Sequence, residues 1–181
     1  MQFCAFDNAW DIGLYITSIF GYCMEGRYNI LNAKETRKIV DRVKENYGIE
    51  EIDMDCIFVK VNDKLFLASN DFKQLSTERI HNFGLFFGRM VDGGMKLSIE
   101  GSHLIGNYAT RNVAELDIES IKKWIAGYDV PVHNVDGFVI VRHNKDFFGC
   151  GKIRNKILMN SVPRERRIYK LSSGSRQDNP V

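Results

Sequence analysis

The sequence predicts an α+β fold. Two segments repeat apolar residues with helical spacing, whereas nine shorter segments cluster or alternate apolar residues as strands do. The 181 residues are 44% hydrophobic and 27% charged, which is typical of a globular chain and excludes a mostly disordered one. No run of 18 apolar residues occurs, so the sequence predicts no membrane-spanning helix.

The N-terminal half is predicted to contain one amphipathic helix and two hairpins. Asn32 and Glu35 have the spacing of a capping box, which starts a helix over 33–47 that Gly48 ends. The other elements predicted in this half are hairpin strands at 56–61 and 64–68, a short helix at 70–75, and hairpin strands at 83–91 and 95–99.

The C-terminal half is predicted to contain one helix among several strands. Asp117 is the predicted N-cap of a helix over 118–126 that Gly127 ends. A short helical turn or a loop is predicted at 102–108 and a connection at 131–136. Strands are predicted at 112–116, 137–142, 147–153, 157–162 and 166–171. A small barrel would pair these strands without leaving long edges.

The N-terminal residues and the cysteines bear on the cellular compartment. Residues 1–23 contain no Lys or Arg, so the basic region of a secretory signal is missing. This segment is either an extra element packed on the body or an upstream extension with Met24 as the start. The four cysteines form no CxxC pair, so we expect neither a zinc site nor a disulfide framework, and a cytoplasmic protein.

Known catalytic motifs are absent from the sequence. It contains no P-loop, no GxGxxG at a strand-to-helix turn and no GxSxG elbow, and no two of its four histidines have helical metal-ligand spacing. Cys150 lies near Lys152 and Arg154, which can activate a thiol, but its apolar strand favours burial. The sequence therefore predicts no enzyme, no metal and no cofactor.

Charge is concentrated in the C-terminal third. Residues 142–176 contain ten basic and two acidic residues, a net +8, which leaves −6 for the rest of a chain whose total is +2. This asymmetry indicates a phosphate-rich partner, and a merely solvated basic face is the alternative. The candidate RNA-binding residues are Lys152, Arg154, Lys156, Arg164, Arg166 and Arg167, because Arg and Lys bind phosphate oxygens.

Four other residues are candidates for a part in RNA contact. Gly149 and Gly151 would let an RNA backbone approach the strand closely. Tyr108 and Tyr169 are candidates either for base stacking or for the core.

Several motifs, taken in order, resemble a known family. The segments at 112–116, 118–124, 136–141 and 148–152 resemble the strands and helix of a PUA domain, a small RNA-binding pseudo-barrel, and Gly-Cys-Gly-Lys is the most typical piece. Residues 83–89 and 96–109 resemble the junction from a pre-PUA α/β domain into a PUA domain. The stretches at 140–143 and 162–167 resemble the PUA-like region of Sun/Fmu-type rRNA cytosine-C5 methyltransferases, which archaea also carry as a free-standing protein.

The resemblance implies a domain organisation and a function. It implies an N-terminal extension at 1–23, a pre-PUA α/β domain at 24–109, a PUA-like β pseudo-barrel at 110–171 and a polar tail at 172–181. It places the six candidate cations at or near the RNA face and implies a non-catalytic, cytoplasmic RNA-binding protein of rRNA processing and ribosome biogenesis. Its expected partners are rRNA and possible companions such as an RNA methyltransferase or a ribosome-assembly protein, with no membrane.

The sequence departs from the family pattern in two places. No glycine-rich loop follows Ala109, where Thr110 and Arg111 come directly, and this argues against docking of the tRNA type. No methyltransferase half is recognisable, and none of the cysteines is followed by proline. An alternative function is an accessory subunit of a separately encoded methyltransferase that uses the acidic remainder and the apolar run 83–87 for contact.

Overall fold

The computed structural model describes residues 28–74, 84–92, 94–133 and 136–169. These residues contain helices α1 (Ala33–Tyr47), α2 (Ile99–Gly106) and α3 (Ile118–Ile125), and short 3₁₀ turns at Asn70–Gln74 and Arg164–Arg166. They also contain ten strands, β1 to β10 in chain order, at Asn29–Ile30, Ile57–Val61, Lys64–Ala68, Leu85–Val91, Gly94–Leu97, Val113–Glu115, Val130–Pro131, Gly137–His143, Asp146–Arg154 and Ile157–Met159. The predicted α+β class is confirmed. Predictions for residues 1–23 and 172–181 lie outside the described residues.

Local signals account for helix α1. The Asn32 side chain accepts from the Glu35 backbone N–H, and the Glu35 carboxylate accepts from the Asn32 N–H, both at 3.0 Å. Gly48 ends the helix in the left-handed region at φ +64°, where a side chain would be strained. The predicted bounds of this helix are confirmed.

The first sheet is antiparallel throughout and follows chain order, β1-β2-β3-β4-β5. Its two hairpins are the predicted ones. One face packs against α1 and α2 through side chains that include Phe58, Leu65, Phe87 and Leu97. Of the described residues in the apolar run predicted as an alternative contact surface, Phe87 is fully buried and Phe86 is half-buried, whereas Leu85 is exposed.

The second sheet has the order β6-β8-β9-β10-β7. Strands β6 and β8 are parallel because α3 connects them, and the other pairs are antiparallel. Asp117 caps α3 as predicted, accepting from the Ser120 N–H at 2.8 Å, and this hydrogen bond lowers the pKa of Asp117. The helix buries Ile121 and Trp124 against one face of the sheet.

The two sheets share a hydrophobic core. Ile140 and Cys150 of the second sheet belong to the same buried cluster as Tyr47 and Met95. The Tyr47 hydroxyl donates to the Met95 carbonyl at 2.8 Å and lies 3.6 Å from the Cys150 sulfur. Burial, and then the neighbouring Cys150, raises the pKa of Tyr47 well above its ordinary value, so the hydroxyl stays protonated.

The segment 110–112 caps the C-terminal end of α1. The backbone N–H groups of Thr110 and Arg111 donate to the Tyr47 carbonyl at 3.0 and 3.2 Å. The Thr110 hydroxyl donates to the Gly48 carbonyl, and the Asn112 amide donates to the Asn46 carbonyl, both at 2.5 Å. The last carbonyls of a helix have no partner within it, so this segment completes α1.

Several predicted elements are corrected by the structure. The strand predicted at 166–171 is wrong for its described residues. Arg166 ends a 3₁₀ turn, in which its N–H donates to the Pro163 carbonyl, and residues 167–169 form no strand. The strand predicted at 95–99 ends at Leu97, because Ser98 caps α2 and accepts from the Gly101 N–H at 2.8 Å. The helix predicted at 70–75 is a 3₁₀ turn.

Two short edge strands were missed. Strands β1 and β7 have two residues each. The second residue of β7, Pro131, is the first residue of the predicted connection at 131–136. In the described parts of the chain, no helix combines the length and the hydrophobicity that a bilayer crossing requires.

Tyr47→Phe should lower the free energy of unfolding by about 1–3 kcal/mol, because the buried Met95 carbonyl loses its donor. Urea denaturation measures the change, and Tyr128→Phe, at an exposed tyrosine, is the control. Equal effects of the two substitutions would contradict the role assigned to the Tyr47 hydroxyl.

Asn112→Ala should destabilise the protein more than Asn112→Gly does. Both variants lose the amide that caps α1, but alanine must also adopt the left-handed φ of +55°, which costs about 1–2 kcal/mol. Urea denaturation measures both, with Asn107→Ala as the control at an exposed residue of right-handed helical φ. Equal stability of the alanine and glycine variants would show that the backbone conformation is not the constraint.

Candidate nucleic-acid interface

The β9–β10 hairpin presents one exposed face. On β9, Lys152 lies opposite Phe138 of β8 and Met159 of β10, and Arg154 lies opposite Ile157. Directly opposed residues of antiparallel strands project to the same side, so these side chains share a surface. We call it the hairpin face, defined by Phe138, Lys152, Arg154, Lys156, Ile157 and Met159.

Lys156 stands at the tip of the hairpin face. Arg154 pairs with Ile157, so Asn155 and Lys156 form a two-residue loop. Their φ angles are +53° and +60°, and positive values at both central residues are what a type I′ turn requires. The turn therefore holds the exposed Lys156 beside Arg154.

Lys152 covers an aromatic ring. Its ammonium nitrogen lies 5.3 Å from the centre of the Phe138 ring, within cation–π distance. Such a contact at an exposed site is worth about 0.5–1 kcal/mol, so it positions the lysine without locking it. Phe138 is itself half-buried and packs on the shared core.

Neither glycine of β9 is open to a ligand, because both are buried. A Cβ on Gly151 would lie 2.6 Å from the Trp124 ring, and one on Gly149 would lie 3.1 Å from Ile99. The prediction that these glycines admit an RNA backbone is therefore wrong: they admit protein side chains. The indole N–H of Trp124 donates to the Phe148 carbonyl at 3.2 Å.

The three C-terminal arginines do not join the hairpin face. They lie on and just after the 3₁₀ turn that follows β10, where Arg164 is exposed. Arg166 forms a half-buried ion pair with Glu100 of α2. Arg167 donates to the Val162 carbonyl at 3.1 Å and packs over Gly127.

The structure thus divides the six candidate cations into two sets. It brings Lys152, Arg154 and Lys156 together, and it leaves Arg164 exposed on a separate turn. Arg166 and Arg167 are engaged in contacts within the protein. Phe138, Ile157 and Met159 were missed as members of the surface, although the Ile-Leu-Met alternation of β10 was a signal that two of them face one side.

The remaining candidates from the sequence are also placed. Tyr108 and Tyr169 are exposed, so neither belongs to the core. Cys150 is buried as favoured, and desolvation raises the pKa of its thiol, the opposite of what a nucleophile needs. Within the described ranges, no group of three or more His, Cys, Asp or Glu side chains is placed to hold a metal ion.

Another cation of the C-terminal third, Arg142, forms an ion pair with a carboxylate. Glu115 of β6 accepts from Arg142 Nε at 2.6 Å and from the Asn144 backbone N–H at 2.7 Å. Desolvation acts to raise the pKa of Glu115, but these hydrogen bonds together lower it below its ordinary value. The contacts tie β6 to the β8–β9 turn and neutralise Arg142.

Comparison with known proteins supports the fold resemblance. Residues 111–168 match the family described as the methyltransferase RsmF PUA domain. The chain is also 28% identical over 141 residues to the ribosomal RNA small subunit methyltransferase F of Aeromonas salmonicida (strain A449). This alignment covers 76% of the chain but only 29% of the relative.

These matches confirm the predicted resemblance. Residues 111–168 form a region similar to a PUA domain, and the chain resembles the Sun/Fmu-type rRNA methyltransferases there. The relative is bacterial, so the archaeal, free-standing form stays a prediction.

Glu115→Gln should remove part of the pH dependence of stability. The folded-state pKa of Glu115 is lowered, so its stabilising contribution is present at neutral pH and is lost as the pH falls through that folded-state pKa. Urea unfolding from neutral to acidic pH should show a shallower decline in the variant than in the parent. Glu51→Gln, at an exposed residue after α1, should leave the slope unchanged, and a parent-like slope in Glu115→Gln would contradict the assignment.

Proposed function

We propose that this protein binds RNA through the hairpin face of its PUA domain and acts in rRNA maturation. The observation that carries the proposal is the convergence of three exposed cations on one surface of the region similar to the RsmF PUA domain. Lysine and arginine neutralise phosphates and release counterions, which supplies affinity with little sequence dependence.

The name of the relative supports the choice of RNA. That protein is a small-subunit rRNA methyltransferase, and we propose rRNA of the small subunit as the ligand here too. The chain spans only 29% of that relative, so we assign this part a binding role, in which it holds RNA and catalyses no reaction itself. We also propose a cytoplasmic location, in keeping with an rRNA ligand.

We also propose how the N-terminal unit contributes. Residues 24–109 would form a pre-PUA domain and residues 110–171 the PUA domain. The core around Tyr47 and the cap on α1 support a fixed orientation between the two, because they join α1 to the second sheet. In this arrangement Arg164 supplies a phosphate contact separate from the hairpin face, whereas Arg166 and Arg167 hold the turn that carries it.

The double variant Lys152→Gln/Arg154→Gln should weaken binding to a fluorescent small-subunit rRNA fragment and to polyuridine alike. We expect a loss of about tenfold or more at low salt, and a slope of log affinity against log salt that is shallower by about 2, since two phosphate contacts disappear. Fluorescence anisotropy at 50 and 200 mM salt gives both quantities.

The control for this experiment is Arg37→Gln/Lys38→Gln, which removes the same two charges from exposed positions of α1. It should leave affinity nearly unchanged. Equal losses in the two double variants would mean that net charge, and not the hairpin face, determines binding.

A further inference from the structure

We propose that the hairpin face recognises unpaired nucleotides and not a continuous RNA duplex. This inference rests on the proposed function, since it names the form of RNA that the surface takes. Three features of the face carry it: its exposed apolar side chains, the ring beneath Lys152, and the conformation of Lys156.

The first feature is apolar surface between the cations. Ile157 and Met159 are each 45% exposed, and they stand directly opposite Arg154 and Lys152. The outward face of a half-solvated sheet normally alternates to polar residues. The phosphate backbone of a duplex would contact the cations but would not bury these apolar side chains. Unpaired bases expose flat apolar surfaces that would cover them.

The second feature is the Phe138 ring, which the flexible side chain of Lys152 covers. Lys152 lies over Phe138, 5.3 Å from the ring centre, and no carboxylate is paired with this lysine among the described ion pairs. An incoming base that stacks on Phe138 would displace the ammonium, which would then meet the phosphate of the same strand. One side chain would thus exchange a ring contact for a phosphate contact.

The third feature is a lysine in a conformation that favours glycine. Lys156 is the second central residue of a turn that requires positive φ, a place where Asn-Gly is the preferred pair. Asn155 fits the first position, but Lys156 at φ +60° is strained. Lys156 also projects a charge from the tip of the face. A ligand contact at the tip would explain why lysine, and not glycine, occupies this strained position.

Charge favours a nucleic-acid strand as the occupant. The face contains three cations and no acid. Asp136 lies just before β8 and Asp146 begins β9, and the described ion pairs join neither of them to a cation of the face. Phosphates and bases alternate along a single RNA strand. Cations and apolar side chains are likewise interspersed on the hairpin face. A purely apolar protein partner would leave the cations without counter-charge.

The first experiment compares two forms of one RNA sequence. A fluorescent 12-nucleotide single strand and the same strand annealed to its complement are titrated against the full chain at 50 mM salt. We expect the single strand to bind about tenfold more tightly, as stacking of one to two bases would give. Equal or tighter binding of the duplex would overturn the inference and leave the proposed function standing. Failure of both RNAs to bind would overturn the proposed function as well.

The second experiment separates stacking from charge. Ile157→Thr/Met159→Gln keeps every charge and keeps a β-branched residue on the strand. This double variant should lower the affinity for the single-stranded RNA about tenfold. The affinity for the duplex and the dependence of affinity on salt should stay unchanged. Ile118→Thr is the matched control, because Ile118 is similarly exposed at the start of α3 and away from the face. An unaltered single-strand affinity in the double variant would overturn the inference.

The third experiment concerns Lys156. Lys156→Gly should raise the urea midpoint, because glycine relieves the strained φ, and should weaken single-strand binding with a salt slope shallower by about 1. Lys156→Gln removes the charge but keeps the strain, so it should weaken binding equally without raising the midpoint. Full affinity in both variants would overturn the role of Lys156 as a ligand contact.

Discussion

The C-terminal end of α1 is the constraint on which the arrangement of this protein depends. The unpaired carbonyls at a helix end need donors, and here the donors come from residues 110–112, immediately before the second sheet. One turn of helix thereby fixes where β6 begins. The buried Tyr47 hydroxyl lies at the same place, between the Met95 carbonyl and the Cys150 sulfur. Polar and apolar contacts thus join the two sheets at one point.

This junction explains why one side of β9 is buried at one end and exposed at the other. Cys150 lies in the shared core, yet Lys152, two residues along on the same side of the strand, is exposed. Helix α2 and the core of the first sheet cover the first part of that side and not the remainder. The hairpin face is the part of the sheet that the junction leaves uncovered.

The charge of the C-terminal third is also divided by tertiary contacts. Arg142 is held by Glu115 and Arg166 by Glu100, two acids that lie outside the basic window in sequence. A cation that already has a carboxylate partner offers less to a phosphate than one that points to solvent. The cations of the hairpin face are exposed because they lie beyond the part of that side of the sheet that the shared core covers.

The sequence by itself determined the elements whose signals are local. The capping box of α1, the Asp117 cap of α3, both hairpins of the first sheet and the order of PUA-like motifs all depend on residues a few positions apart. Only the tertiary structure decided the edge strands β1 and β7, which are too short for a periodic pattern, and the start of α2, whose cap interrupts a strand-like alternation. It also decided that Gly149 and Gly151 face protein, and that three of the six candidate cations share a face. Pairing register, helix packing and long-range ion pairs set these features, and they join residues far apart in the chain, where the spacing of neighbouring residues carries no information.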